Sequence, residues 1–161
     1  MSEAGRWTVL LDGVSLPDRN LVGGKAWSVA RIRQLGLPVP PAFVITTKAC
    51  LAYLDEGRLP DGLVEEYSSA LAWLEGETGR RFGSMEKPLL LSIRSGSAIS
   101  MPGMMDTILN LGINDGAEAA LAEETKLPEF AADTRDSEPK PFRGLRYWRA
   151  RRWMLADDHF D

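Results

Sequence analysis

Two short stretches of this chain carry residue types suited to holding a phosphate chain. In the first, Gly23 and Gly24 precede Lys25 and a run with helical apolar spacing. A helix start offers amide N–H groups without intrahelical partners and the positive end of the helix dipole, so an anion can settle there beside the ammonium. This is not a P-loop: the first glycine of that motif is missing, and Ala26 stands where its magnesium-binding hydroxyl belongs. Gly-Gly-Lys alone is read more simply as a glycine turn opening a helix beside an exposed lysine, because turn glycines are common. In the second stretch, Arg94 ends an apolar strand and is followed by Ser95, Gly96, Ser97, Gly103 and Met104, before Asp106 and Thr107 open another strand. Glycine lets the backbone approach a ligand that a Cβ would repel, and a guanidinium presents a fork matched to phosphate oxygens. A connection this long inside a compact domain usually has a task, and Met101, Met104 and Met105 are unusual choices for mere solvent exposure. Together Lys25, Arg94 and the glycine loop that follows it describe a clamp for a nucleotide triphosphate, in which magnesium normally shares the neutralisation of charge.

Other candidates are weaker. Asp106 is the one acidic residue of the loop, equally able to cap a turn, and no metal site is evident. His159, the sole histidine, lies third from the end, and a terminal segment rarely supplies the shaped pocket a phosphoryl-carrying histidine needs. Cys50, the sole cysteine, is expected to be a buried small hydrophobe and has no internal disulfide partner.

The elements that must position these residues follow from periodicity. Residues 7–11 read as a strand and 12–19 as a turn-rich connector. A helix is predicted over 24–35 from the spacing of Ala26, Val29, Ile32 and Leu35, with Gly36 as its stop. The proline-rich stretch 37–41 leads into a strand at 42–45, after which Thr46 or Thr47 caps a helix running to about Gly57. A longer helix starts after Asp61, with Leu63, Tyr67, Leu71 and Leu74 on one face. Two strands flank the glycine loop, and residues 115–125 are again helical. Strands interleaved with helices, with two strands joined by a loop, predict an α+β fold rather than a doubly wound sheet.

The 161 residues suffice for one modest core, and 44% hydrophobic with 26% charged residues is ordinary for a soluble globular domain. A net charge of −4 argues against general nucleic-acid binding. With neither a signal peptide nor a long apolar span visible, no membrane association is expected and the cytoplasm is the expected location. From about residue 132 the character changes: 7 of the 19 basic residues fall in this last stretch, among them Arg143, Arg146 and Arg149, interleaved with Tyr147, Trp148 and Trp153. Charge and stacking of that kind can serve an acidic partner. No clean apolar stripe runs through it, and it is read as a divergent tail rather than a binding segment. The expected division is a lobe over 1–131 and a tail over 132–161.

The segment NLVGGKAWSVARIRQLGLPVPPAFVITTKACLAYL (20–54) resembles the opening of the ATP-binding domain of pyruvate, phosphate dikinases, and LLLSIRSGSAISMPGMMDTILNLGIND (89–115) resembles the same family's glycine-rich loop almost residue for residue. The run from Ser100 to Thr107 is the specific part, since the related phosphoenolpyruvate synthases and glucan, water dikinases carry a different loop after their Arg-Ser. The resemblance covers residues 7–131, more weakly toward its ends. It implies the first lobe of an ATP-grasp nucleotide-binding domain, with Mg-ATP as ligand. Lys25 and Arg94 would be the triphosphate-binding cations, and Ser95 with the segment from Gly103 through Met104 and Asp106 to Thr107 the loop that closes over the phosphates. Family members convert ATP, phosphate and pyruvate to AMP, pyrophosphate and phosphoenolpyruvate through a phosphorylated histidine on a swivelling domain. His159 matches no part of that machinery, and neither a second lobe with magnesium carboxylates nor the pyruvate-binding barrel is recognisable. The expectation is an N-terminal fragment without turnover on its own, its tail the product of a frameshift or a truncated gene. Two alternatives stand beside it: a subunit completed by a separately encoded remainder of a split dikinase, and a non-catalytic module acting through the basic aromatic tail.

Overall fold

A computed structural model describes residues 7–94 and 107–136 of the chain. Its elements are short strands and mid-length helices, the expected α+β mixture. The strands form three separate two-stranded pairs among the described residues.

The first pair joins β1 (Thr8–Leu10) to β2 (Phe43–Ile45), antiparallel, with Val9 opposite Val44. Backbone bonds from Leu11 N to the Ala42 carbonyl and from Thr46 N to the Trp7 carbonyl extend the pairing at both ends. Helix α1 (Arg19–Gln34) packs on it, burying Val22 and Ala30 with Val9 and Leu11. Of the four apolar positions expected to face the core, Ala26 and Val29 pack there, whereas Ile32 and Leu35 are 38% and 61% exposed. The inward face instead rotates through Ala30 and half-buried Arg33, whose Nε donates to the Asp12 carbonyl and whose Nη2 pairs with Glu77 at 2.6 Å.

Helix α2 (Thr47–Glu56) starts where sequence placed it, because the Thr46 hydroxyl accepts the Ala49 N–H, and it ends at Gly57. That cap sets the helix phase so that Ala49 is buried and Cys50 is exposed, correcting the expectation of a buried thiol.

Helix α3 (Leu63–Thr78) is the spine. Leu63 and Leu74 of its predicted face are buried, and Tyr67 meets Phe43 edge-on at 5.7 Å; burial pushes the Tyr67 phenol above its ordinary pKa. Two of its carboxylates hold strand backbone. Glu66 accepts the N–H groups of Trp7 and Thr8, each at 2.8 Å, and Glu75 accepts the N–H of Phe82 at 2.9 Å. Trp7 is further fixed by its indole N–H on the Asp61 carbonyl.

Strands β3 (Arg81–Phe82) and β4 (Pro88–Leu89) make a minimal parallel pair that periodicity did not foretell. Strands β5 (Leu91–Arg94) and β6 (Thr107–Leu111) are the antiparallel pair expected on either side of the loop. One extra β6 residue makes a bulge between Leu91 and Ile93, and Asn110 there has a left-handed φ of 55°. Its side-chain amide donates to the Thr134 carbonyl at 3.0 Å. Gly112, at φ 100°, is compulsory: a Cβ would stand 2.9 Å from the Phe82 ring and 3.0 Å from the Leu89 carbonyl.

Helix α4 (Asp115–Thr125) has the predicted bounds, capped by the Asn114 side chain accepting the Ala117 N–H. Helix α5 (Pro128–Asp136) was not anticipated. It packs on α4 with Ala131 fully buried, and Arg135 reaches Asp115 at 2.5 Å and Glu118 at 2.7 Å. The helix therefore runs through residue 132, where the change of composition had been placed.

Candidate phosphate-binding site

The Gly-Gly-Lys motif sits inside α1 at a break in the helix. Asp18 caps the first turn, its Oδ1 accepting the Asn20 N–H and its carbonyl accepting those of Leu21 and Val22. At Gly23 the backbone swings to φ 80° and ψ 163°, a region essentially closed to residues with a Cβ. Regular helix resumes at Gly24, so the predicted start at residue 24 coincides with this restart, and the turn over 19–22 is an addition. Thr47 ties that turn to the head of α2 by donating its hydroxyl to the Asn20 carbonyl at 3.0 Å.

Lys25 lies two residues past the break and is exposed. It has no hydrogen bond or ion pair among the described residues. A cation absent from the sequence reading lies over the preceding residue, Gly24. The Arg19 guanidinium stacks over the Trp27 ring at 5.7 Å, and a methyl placed on Gly24 would stand 3.6 Å from Arg19 Nη2. Nothing in local sequence announced this, because residue 19 had been assigned to a connector and the stacking depends on the break at Gly23.

Arg94 closes β5, exposed, and is the register partner of Thr107 at the opening of β6. The two candidates that bracket residues 95–106 therefore stand opposite one another at one end of a strand pair. Ser95, Gly103, Met104 and Asp106 lie outside the described residues, as does His159. Lys25 is carried by α1, which packs on the β1–β2 pair, whereas Arg94 is carried by the β5–β6 pair. The other arginines with close carboxylate contacts, Arg33, Arg58, Arg80 and Arg135, are engaged in ion pairs. Among the described residues no three carboxylate, thiol or imidazole side chains converge on one point, and no helix is long and apolar enough to cross a membrane.

Comparison with known proteins gives this arrangement a context. Residues 19–75, which include the break and Lys25, match the family described as "Pyruvate phosphate dikinase, AMP/ATP-binding domain". The pyruvate, phosphate dikinase of Clostridium symbiosum is 43% identical over 130 residues, 80% of this chain and 15% of that protein. That of Rhizobium meliloti is 49% identical over 121 residues, 74% of this chain and 14% of its own length. That of Entamoeba histolytica is 48% identical over 118 residues, 73% and 13%. The chain belongs to the pyruvate, phosphate dikinase family, and spans about one seventh of the length of these relatives.

Proposed function

We propose that this chain binds the phosphates of Mg-ATP, with Lys25 and Arg94 as the two principal cations. The observation that carries the reading is Lys25 itself: an exposed ammonium two residues past a glycine-only backbone break, within the matched nucleotide-binding segment and without a carboxylate partner among the described residues. Backbone that turns sharply without a Cβ leaves room for an anion to approach the amides, and a flexible ammonium follows the phosphates as they settle. Arg94 adds a planar fork at the strand end, and Thr107 opposite it supplies a hydroxyl donor. Ser95, Gly103, Met104 and Asp106 complete the site as the loop that covers the phosphates. On this reading the fold is the first lobe of an ATP-grasp domain, and the location is cytoplasmic.

Magnesium arrives with the nucleotide, and its protein ligands are assigned mainly to the second lobe that completes an ATP-grasp domain. The chemical task of Lys25 and Arg94 is to neutralise and orient the triphosphate. In a dikinase reaction that positions the β-phosphorus for attack, and binding energy used for orientation lowers the barrier without a covalent role for either residue. The acceptor of the phosphoryl group belongs, on the same reading, to the remainder of a dikinase, which is the partner we assign to this chain.

Hydrogen exchange tests the placement. Saturating Mg-ATP should slow exchange at the amides of Gly24, Lys25 and Ala26 and in the segment from Arg94 to Thr107, leaving α4 and α5 unchanged. Protection confined to other elements would refute it.

A further inference from the structure

Arg19 is the feature of the described surface that the proposed function does not yet use. Its backbone is fixed on two sides: Asp18 caps the turn that follows, and the neighbouring Asn20 carbonyl accepts the Thr47 hydroxyl. Its side chain is fixed as well, by the stack on half-buried Trp27 at 5.7 Å. An arginine held over an indole has surrendered much of its rotamer freedom before any ligand arrives. The Nη2 and Nε atoms stand 3.6 and 3.8 Å from where a Cβ on Gly24 would be, over the residue that precedes Lys25. The guanidinium makes no ion pair among the described residues. The one nearby carboxylate in sequence, Asp18, has its Oδ1 occupied by the Asn20 N–H.

We infer that Arg19 is a third phosphate-binding cation, stacked in advance on Trp27 so that its guanidinium and the Lys25 ammonium take the same polyphosphate from adjacent positions. The inference rests on the reading of Lys25 as a phosphate-binding residue and adds a residue to that site. The division of labour is chemical. Lys25 is a flexible point charge, whereas Arg19 presents donors in a fixed plane and so rewards a ligand that offers two oxygens at once.

The test uses the full 161-residue chain and inorganic tripolyphosphate, titrated by calorimetry at several salt concentrations, for the unaltered chain and for Arg19→Gln, Trp27→Leu and Lys25→Ala. Arg19→Gln keeps a polar side chain while removing the charge and the guanidinium fork, and thermal melting confirms that each variant is folded. The expected result is about a tenfold loss of affinity for Arg19→Gln, from one charge-assisted contact, together with a shallower dependence on salt. Trp27→Leu, which keeps the charge and removes the platform, should weaken binding less and leave the salt dependence unchanged. Binding lost in Lys25→Ala but unaltered in folded Arg19→Gln overturns the role of Arg19 and spares the site. Absence of tripolyphosphate binding by the unaltered chain overturns both.

Discussion

Gly23 shows most directly how a single residue type shapes the candidate site. At φ 80° and ψ 163° any side chain strains the backbone, and such positions cost about 1–3 kcal/mol. Gly23→Ala should therefore destabilise the fold by that order, read as a lower urea midpoint, and should weaken nucleotide binding as the break relaxes. Gly24→Ala is the contrast, since its new methyl meets only ordinary contacts near Arg19; its folding midpoint should move far less. The exposed thiol of Cys50 should react with an aromatic disulfide reagent in the folded chain without denaturant, and slow labelling that needs unfolding would contradict its placement. At this scale the sequence was legible wherever chemistry is local. Gly-Gly-Lys declares itself, and Thr46 declares a cap. Cys50 was misread because one cap shifts a whole helix by its phase, and Arg19 was passed over because its stacking partner lies across the Gly23 break.

Among the elements, α3 does most of the organising, through carboxylates that reach strand backbone rather than through its apolar face alone. Glu66 takes the adjacent N–H groups of Trp7 and Thr8 at the entry to β1, and the Thr8 hydroxyl as well at 3.3 Å. Glu66→Ala leaves those donors without their acceptor and should cost roughly 2–3 kcal/mol, measured by urea unfolding. A change within error would show that β1 is held by its pairing with β2 alone. Asn114→Ala removes the α4 cap and should cost about 1 kcal/mol. The long helices and both strands around the glycine loop could be read from periodicity because each repeats its pattern over several turns or alternations. The β3–β4 pair could not, being two residues on each side, and α5 could not, because Ala131 and Thr134 are its only buried residues.

In the molecule as a whole, α3 packs on the β1–β2 pair, Arg80 just past its end pairs with Glu124 of α4, and Arg135 bridges α5 to α4. The hydrogen bond from Arg80 holds the Glu124 carboxyl below its ordinary range. A carboxylate with a lowered folded pKa stabilises above its unfolded value and loses that contribution as pH falls through the folded one. Stability should therefore decline on acidification below the normal carboxylate range, and Arg80→Met should flatten that part of the profile. An unchanged profile would show that solvent screens the pair completely. What sequence could not supply at this scale is the meeting of distant ends, such as Asn110 with Thr134 or Gly112 with Phe82, which depends on packing.

The central claim is that Lys25 and Arg94 hold a triphosphate. Calorimetric titration of the 161-residue chain with Mg-ATP, beside the folded double variant Lys25→Ala, Arg94→Ala, tests it most directly. The account predicts saturable binding that the double variant loses by about a hundredfold or more, two charge-assisted contacts being removed. Equal affinity in the two proteins, or no binding by the folded unaltered chain, would contradict it.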